Sequence, residues 1–270
     1  MTTAAPLRIA VAGLGAVGMG VARALAAGIP GCTFAAASAR DLGAARARLG
    51  FAPGVALLPV AELADHADLV VECAPAALLP EIVSPFLDAG RTAVVLSAAA
   101  LLARPELIER AKRSGGRIVV PSGALAGLAA LSAAAEGEIR SVTLVTAKPV
   151  AGLAGAPYLA AQGIDLAGLA EPLRVFAGSA RAAAAAFPAN VNVAAALALA
   201  GIGPDRTEVE VWADPSLARN RHTVRVVADS AEFTLTIENL PSENPKTSRI
   251  TALSVIAALR RLAAPLRVGG

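Results

Sequence analysis

Residues 7–18, Leu7-Arg8-Ile9-Ala10-Val11-Ala12-Gly13-Leu14-Gly15-Ala16-Val17-Gly18, decide the fold of this chain. A short, nearly continuous apolar run ends in a turn with three glycines, and a helical pattern follows at once. The first glycine permits a tight bend, the second lets the backbone approach a pyrophosphate, and the third lets helix and strand pack closely. The stretch therefore predicts a dinucleotide-binding turn, with the following residues at the cofactor: Gly13, Gly15, Ala16, Val17 and Gly18.

Strand and helix patterns alternate through residues 1–124, which we interpret as one Rossmann domain. Short apolar runs predict strands, and longer amphipathic stretches between them predict helices. This alternation is typical of an α/β, doubly wound parallel sheet. The predicted strands cover residues 7–12, 33–37, 69–73, 92–96 and 117–121, and the predicted helices cover 19–27, 40–49, 76–87 and 105–114.

Residues 125–243 follow a different rhythm, in which strands outnumber helices. We expect an α+β second domain for catalysis, substrate binding and oligomerisation, with a largely antiparallel sheet and one long alanine-rich helix within 180–200. Asn244-Pro245 then predicts the start of a final helix, because Asn is a good N-cap and Pro suits the first helical position. Its apolar stripe predicts that 244–270 packs back on the Rossmann domain. The predicted strands are 141–147, 207–211, 222–227 and 232–238.

Composition excludes several function classes. The formal net charge is +3, but Lys and Arg are scattered and aromatic residues make up only 3% of the chain, which argues against nucleic-acid binding. The most lipid-like stretch contains Arg181, Pro188 and two asparagines, so we expect no membrane span. Cys32 and Cys73 have no partner at metal-ligand spacing, and we expect no metal site. Without a targeting pattern, a cytoplasmic location is the default expectation.

The end of the second predicted strand bears on cofactor choice. An NAD-selective domain usually has Asp or Glu there to bind the ribose diol, but this chain has Ser38-Ala39-Arg40. Ser38 and Arg40 could bind a 2′-phosphate, so we expect NADP to be accepted at least as well as NAD. The nearby carboxylate of Asp41 leaves NAD open as the preferred cofactor. Alternatively, Arg40 does not contact the cofactor and simply begins a solvent-exposed helix.

The predicted second domain contains one histidine, His222, in Arg219-Asn220-Arg221-His222. Histidine is the usual general acid or base near neutral pH, although a single histidine is more often structural. Asn190 and Asn192 interrupt an apolar segment, and a buried amide needs a hydrogen-bond partner. One of the two could cap a helix, and a cofactor carboxamide could bind the other.

Two cations and two hydroxyls lie together in Lys246-Thr247-Ser248-Arg249. In the first turn of a helix, such groups would suit a substrate carboxylate. An ordinary solvated helix start is the alternative.

Three stretches behind the glycine turn resemble the L-aspartate dehydrogenase family. They are Phe187-Pro188-Ala189-Asn190-Val191-Asn192-Val193-Ala194, Arg219-Asn220-Arg221-His222 and Glu243-Asn244-Pro245-Lys246-Thr247-Ser248. The resemblance covers essentially the whole chain. It implies NAD(P)-dependent oxidative deamination of L-aspartate through iminoaspartate to oxaloacetate and ammonia, and a role in supplying iminoaspartate for NAD biosynthesis.

The same resemblance assigns individual roles. It implies that His222 is the catalytic histidine and that Ala124 and Asn190 contact the cofactor. We expect the substrate carboxylates to be held by groups among Asn192, Lys246, Thr247 and Ser248. Apolar surface on the second domain's sheet favours a homodimer or larger homo-oligomer.

Two other functions remain open at this stage. A homoserine-dehydrogenase-like or other Rossmann reductase would share the N-terminal half, and the C-terminal motifs argue against it. A non-catalytic NADP(H)-binding sensor would keep the cofactor turn without the chemistry, and an assay of amino-acid-dependent cofactor reduction separates the three functions.

Overall fold

The computed structural model describes residues 5–188, 191–242 and 248–268. The chain divides into two compact units, of which one comprises Met1–Pro121 with Thr251–Gly270 and the other comprises Ser122–Ile250. Within the described ranges, no helix is both long enough and apolar enough to cross a membrane.

A six-stranded parallel sheet forms the centre of the first unit. Its strands are β1 (Leu7–Ala12), β2 (Cys32–Ser38), β3 (Ala56–Leu57), β4 (Leu69–Glu72), β5 (Thr92–Val95) and β6 (Arg117–Val119). Their order across the sheet is β3-β2-β1-β4-β5-β6, and every pair is parallel. This is the strand order of a Rossmann sheet, so the predicted fold class of the N-terminal part is confirmed. The two-residue strand β3 was not predicted.

Both units contain α-helices, and two short 3-10 turns lie at Val60–Glu62 and Ala76–Leu78. The α-helices are α1 (Ala16–Ala27), α2 (Leu42–Arg48), α3 (Leu63–His66), α4 (Leu79–Asp88), α5 (Ala98–Leu102), α6 (Pro105–Ser114), α7 (Leu128–Ala134), α8 (Val150–Leu153), α9 (Pro157–Ala161), α10 (Ala180–Ala186), α11 (Asn192–Ala200) and α12 (Arg249–Ala263).

Helices cover both faces of the parallel sheet. Ile9 and Val11 of β1 belong to one apolar cluster with residues of α1, and Val255 and Leu259 of α12 are fully buried in that cluster. The alternate residues of β1 belong to a second cluster with α4 and α6. Because successive side chains of a strand point to opposite faces, a strand buried on both sides is apolar at every position. This explains the nearly continuous apolar run of residues 7–12.

A five-stranded mixed sheet forms the second unit. Its strands are β7 (Ile139–Lys148), β8 (Leu173–Ser179), β9 (Thr207–Ala213), β10 (Asn220–Ala228) and β11 (Glu232–Asn239). Their order is β11-β10-β7-β9-β8, and every pair is antiparallel except β7 with β9. The predicted α+β class is confirmed, whereas β8 was not predicted.

One face of the mixed sheet, which we call the inner face, packs against helices. Leu144, Val209 and Val224 share a buried cluster with residues of α7, α10 and α11. Alternation along β10 places His222 on the same face as Val224, as the sequence pattern predicted. The imidazole therefore lies on the inner face, in the same layer as these buried apolar side chains.

The prediction of one long alanine-rich helix within 180–200 was wrong. The structure has two helices there, and α10 ends at Ala186; Phe187, with φ of −133° and ψ of 60°, has left the helical conformation before Pro188. A residue before proline disfavours the helical conformation, and proline has no N–H for the helix ladder. The break separates Asn192 from α10 and makes it the first residue of α11.

The predicted start of the final helix, Asn244-Pro245, lies outside the described residues. The structure describes α12 from Arg249 onward. Ser248 forms an isolated antiparallel bridge with Pro241 and so precedes the helix. The expectation that Ser248 lies in the first helical turn was therefore wrong.

Candidate active site

The glycine turn joins β1 to α1 at the carboxyl edge of the parallel sheet. Gly13 has a φ of +95°, and a Cβ there would lie 2.6 Å from the carbonyl oxygen of Cys73. Its N–H donates to the carbonyl of Ser38 at 2.8 Å, which ties the end of β1 to the end of β2. Only glycine combines this backbone conformation with this close approach.

The other two glycines of the turn have opposite surroundings. A Cβ at Gly18 would lie 1.9 Å from the carbonyl oxygen of Gly13, so the helix could not approach the strand with any side chain there. A Cβ at Gly15 would meet nothing within 4 Å, because it would point into open space before the helix. Among the residues that the structure describes, no side chain caps the first turn of α1. Its unpaired N–H groups, beside open space, fit a pyrophosphate.

The carboxyl end of β2 carries the residues predicted to choose between NAD and NADP. Ser38 is buried and Arg40 is exposed. Asp41 is the N-cap of α2, and its Oδ1 accepts a hydrogen bond from the backbone N–H of Ala44 at 2.9 Å. This carboxylate is thus engaged in its own helix, which leaves Arg40 as the charged side chain at the end of the strand.

Glu72, which sequence reasoning missed, ends β4 as a fully buried carboxyl group. It accepts hydrogen bonds from the backbone N–H of Leu96 at 3.1 Å and from the N–H and hydroxyl of Ser97, both at 2.9 Å. Burial raises the pKa of Glu72, and these hydrogen bonds oppose the rise. The side chain fixes the segment after β5 to the end of β4. Its signal in the sequence was a glutamate closing the apolar run of residues 69–72.

Ala124 lies in the second unit, in the Ser122-Gly123-Ala124 segment, where it is buried. Its carbonyl oxygen accepts a 3.0 Å hydrogen bond from Nδ2 of Asn239, a buried residue at the end of β11. Asn239 pairs across the sheet with Asn220, two residues before His222. The structure therefore brings Ala124 to the end of the sheet that carries the histidine. Asn239 was missed because a strand-end asparagine usually indicates a turn.

His222 lies opposite Thr146 in the antiparallel ladder of β10 and β7, and its side chain is only 3% exposed. Its Nδ1 is 3.1 Å from the hydroxyl oxygen of Thr146. Burial, and then the charge of Lys148, lower the pKa of His222 to about 3. The imidazole is therefore neutral at physiological pH, with one nitrogen engaged by a hydroxyl and the other able to take part in proton transfer.

Lys148, which sequence reasoning also missed, ends β7 on the same face as Thr146. Its side chain is buried, and an ammonium is almost never fully buried unless it is paired. The sequence offered only a lysine at the end of an alternating strand. Its proximity to the histidine depends on the pairing of β7 with β10, which sequence alone does not give.

The remaining predicted site residues are Asn192 and Ser248, which the structure describes, and three that it does not. Asn192 is half-buried, and Val191 occupies the N-cap position of α11, so Asn192 does not cap that helix. Ser248 is buried beside Pro241, two residues beyond Asn239. Asn190, Lys246 and Thr247 lie outside the described residues.

Two family models match separate parts of this chain. The model described as "Aspartate dehydrogenase, C-terminal" matches residues 129–262, and "Homoserine dehydrogenase, NAD binding domain" matches residues 13–121. The first half thus has an NAD-binding domain of a kind that other dehydrogenases share. The second half distinguishes the chain from the homoserine-dehydrogenase-like alternative.

Curated relatives match over the full length of the chain. L-aspartate dehydrogenase 3 of Bordetella bronchiseptica is 56% identical, with 100% of both chains covered. The L-aspartate dehydrogenase of Bradyrhizobium diazoefficiens is 52% identical, over 99% of this chain and 96% of that protein.

The fold also matches a solved structure. The crystal structure of aspartate dehydrogenase from Thermotoga maritima superimposes with a TM-score of 0.73 at 26% sequence identity, and the match covers 97% of this chain and 99% of that one. Sequence, domain composition and fold therefore agree, and the chain belongs to the L-aspartate dehydrogenase family.

Proposed function

We propose that this chain oxidises L-aspartate with NAD(P)+ and water to oxaloacetate, ammonium, NAD(P)H and a proton, through iminoaspartate, and catalyses the reverse reductive amination. The observation that carries the proposal is the buried, neutral imidazole of His222, held at Nδ1 by Thr146, in a chain that matches L-aspartate dehydrogenases over its full length. A neutral imidazole keeps a lone pair that can accept a proton from a reacting group and return it within the reaction.

The first unit would hold the dinucleotide. The open space at Gly15 and the uncapped N-terminus of α1 would receive the pyrophosphate, and Ser38 and Arg40 would receive the adenosine ribose or its 2′-phosphate. Ala124 and Asn190 would contact the nicotinamide end. When bound, the nicotinamide supplies the oxidation by accepting a hydride from the substrate α-carbon.

His222 would act on the imine that this oxidation leaves. If Nδ1–H donates to the hydroxyl of Thr146, Nε2 keeps its lone pair and can take a proton from a water molecule. The resulting hydroxide adds to the imine carbon and forms a carbinolamine. His222 then returns the proton to the nitrogen. As ammonia leaves and the carbon–oxygen double bond of oxaloacetate forms, His222 accepts the proton of the carbinolamine hydroxyl.

Substrate binding would fall to residues with hydroxyl, amide and cationic groups in the second unit. We expect the carboxylates of aspartate to contact groups among Asn192, Lys246, Thr247 and Ser248. Buried Ser248 supports this assignment, because its bridge to Pro241 holds it near the end of β11.

A spectrophotometric assay of NAD+ and NADP+ reduction tests the proposed function. We expect reduction with L-aspartate and much slower reduction with homoserine, L-alanine or L-glutamate, with NADP+ accepted at least as well as NAD+. Faster turnover of homoserine would favour the reductase alternative. Tight cofactor binding without any amino-acid-dependent reduction would favour a non-catalytic sensor.

Three further predictions concern the context of the reaction. We infer that the chain works in the cytoplasm as a homodimer or larger assembly, and that its iminoaspartate feeds NAD biosynthesis. For self-association, the support is that the sheet face opposite His222 carries the half-buried side chains of Val145, Trp212 and Val227. Apolar side chains on a sheet face are typical of surfaces that pair between copies of a chain.

A further inference from the structure

The parallel sheet has its topological switch point between β1 and β4. Strands β2 and β3 continue the sheet on one side of that point, and β5 and β6 continue it on the other. In a sheet of this order, a dinucleotide binds outside the carboxyl ends of the strands at the switch point, with one mononucleotide half on each side. If the adenosine ribose binds at the end of β2, as proposed, the nicotinamide half lies at the ends of β4 and β5.

Glu72 is the last residue of β4 and lies at this carboxyl edge. The next residue, Cys73, donates its N–H to the carbonyl of Ala12 at 2.8 Å. A Cβ on Gly13 would lie 2.6 Å from the carbonyl oxygen of Cys73 and 2.7 Å from the backbone nitrogen of Ala74. The segment that follows Glu72 is therefore packed against the dinucleotide turn itself.

The carboxyl group of Glu72 also holds the neighbouring strand end. Its Oε2 accepts hydrogen bonds from the backbone N–H groups of Leu96 and Ser97, at 3.1 and 2.9 Å, and its Oε1 accepts one from the hydroxyl of Ser97 at 2.9 Å. Burial raises the pKa of Glu72, and hydrogen bonds that include one from the backbone of Ala74 oppose the rise. One side chain thus connects the segment after β4 with the segment after β5.

The sheet itself does not require a carboxyl group at this position. Residues 69–71 of the same strand are apolar and buried, and the side chain of Glu72 is 0% exposed. Burying a carboxyl group is costly unless it is hydrogen-bonded. The hydrogen bonds that the structure describes for Glu72 come from the two segments at the carboxyl edge. The carboxyl group therefore fixes the position of these segments.

We propose that Glu72 is a positioning residue for the nicotinamide half of the dinucleotide. It acts through the backbone of the segments after β4 and β5, whose separation sets the space that this half of the cofactor enters. The inference rests on the proposed function for the place of the adenosine half. Without the connection, the two segments would move apart, and the whole cofactor would bind more weakly while its adenosine half would bind as before.

Calorimetric titration with the reduced cofactor and with its adenosine half tests this role. The full-length protein is titrated with NADPH and with 2′,5′-ADP, or with NADH and AMP if NADH binds more tightly than NADPH. The adenosine half contains no nicotinamide, so its affinity reports on the part of the site that Glu72 does not border. The ratio of the two affinities separates positioning of the nicotinamide half from a general loss of structure.

Variants at position 72 separate the reach of the side chain from its charge. Glu72→Asp keeps the charge but withdraws the carboxyl group by one methylene. It should weaken cofactor binding about tenfold or more and leave the affinity for the adenosine half within about twofold. Glu72→Gln keeps the reach, because its carbonyl oxygen can accept from both N–H groups and its amide can donate to the hydroxyl of Ser97. It should retain cofactor affinity within about threefold.

Asp68→Asn is the matched control at the other end of β4. Asp68 directly precedes the strand, and its carboxylate forms an ion pair with Arg8 at 2.7 Å. The substitution removes a charge and weakens an ion pair beside the same strand, but at the edge of the sheet opposite the cofactor. Both affinities should stay within about twofold of the wild type.

Each outcome supports or overturns the role of Glu72. Equal weakening of both ligands in Glu72→Asp, or unchanged binding of both, would overturn it, and so would a Glu72→Gln variant that loses as much cofactor affinity as Glu72→Asp. If Glu72→Asp does not fold, Ser97→Ala, which removes the hydroxyl donor alone, decides by the same ratio of affinities. The expected ratios in a protein that does not oxidise L-aspartate would reject the proposed function and keep the role of Glu72 in cofactor binding.

Discussion

At the scale of single residues, the reactivity of His222 depends on its neighbours. Burial keeps the ring neutral, Lys148 lowers its basicity further, and the hydroxyl of Thr146 lies 3.1 Å from Nδ1. A ring nitrogen fixed by a hydrogen bond determines which tautomer is present. The proposed base is therefore a pair of residues on adjacent strands rather than a histidine alone.

Thr146→Val tests this pairing, because valine has the shape of threonine without the hydroxyl. We expect kcat for L-aspartate oxidation to fall about tenfold or more, since an unpaired buried Nδ1 costs about 1–3 kcal/mol and the tautomer is no longer fixed. KM for NAD(P)+ should stay within twofold. Steady-state kinetics provide both values.

Thr146→Ser is the matched control, because it restores the hydroxyl and should recover most of the lost kcat. If the valine and serine variants have the same kcat, the hydroxyl does not position His222, and the proposed tautomer is wrong.

The sequence predicted site residues unevenly at this scale. His222 and the glycines could be predicted from the sequence, because a histidine and a glycine-rich turn indicate their chemistry without knowledge of their neighbours in the fold. Lys148, Glu72 and Asn239 could not be predicted in this way, because the contacts that matter for each of them are with residues far away in the sequence. Glu72 binds Ser97, and Asn239 binds Ala124, a residue 115 positions away. Which strands are neighbours decides these contacts, and local patterns do not contain that information.

At the scale of elements, the turn between β1 and α1 uses its glycines for different purposes. Gly18 permits the close packing of α1 on the turn, whereas Gly15 leaves space before the helix. The backbone of Gly15 has a φ of −73°, which any residue adopts. Glycine at position 15 is therefore needed for the ligand and not for the fold.

Paired alanine substitutions separate these two purposes. Gly15→Ala should change the free energy of unfolding by less than about 1 kcal/mol but weaken dinucleotide binding at least tenfold, because its methyl group enters the space of the pyrophosphate. Gly18→Ala should lower the free energy of unfolding by about 2 kcal/mol or more, because its methyl group would meet a backbone oxygen. Urea titration and fluorescence titration with NADPH measure the two effects. Equal stability of the two variants would contradict the division of roles.

Strands and helices were predicted correctly where the hydrophobic periodicity is strong. They were missed where tertiary packing determines the secondary structure. The strand Leu7–Ala12 and the helix Pro105–Ser114 have the predicted bounds. Strand β8 was missed because its burial does not alternate, and a register shift interrupts its pairing with β9. The helix break at Pro188 was missed because the alanine-rich composition on both sides outweighed a single proline in the interpretation.

At the scale of the whole molecule, the buried histidine makes stability depend on pH. His222 in the folded chain titrates near pH 3, whereas in the unfolded chain its pKa is near 6.5. The unfolded chain therefore binds this proton first as the pH falls. The stability that the neutral histidine contributes is complete above pH 6.5 and is lost as the pH falls from 6.5 towards 3.

Comparing the wild type with His222→Gln at two pH values measures this term. At pH 5 the wild type should have lost about 2 kcal/mol more free energy of unfolding, relative to pH 7.5, than the variant, which has no titrating group at position 222. Urea titrations of both proteins at both pH values provide the comparison. An equal loss in the two proteins would show that the histidine is protonated in the folded chain.

The fold class followed from the sequence at this scale because alternation of strands and helices, followed by a strand-rich part, leaves few topologies open. The parallel pairing of β7 with β9 could not be predicted from the sequence. Alternating polarity indicates that a strand has one buried face, but it does not give the direction of the neighbouring strand.

The core of the first unit is built from two separate parts of the chain, because Val255 and Leu259 of α12 join the cluster of Ile9 and Val11. Residues 122–250, which form the second unit, lie between those parts. During synthesis, the second unit is the first to have all of its residues outside the ribosome. The dinucleotide-binding unit stays incomplete, with one face of its sheet uncovered, until residues 251–263 have been made. The usual N-terminal-first order of cotranslational folding is thereby reversed, and a ribosome stalled near residue 250 would hold a complete second unit and an aggregation-prone first one.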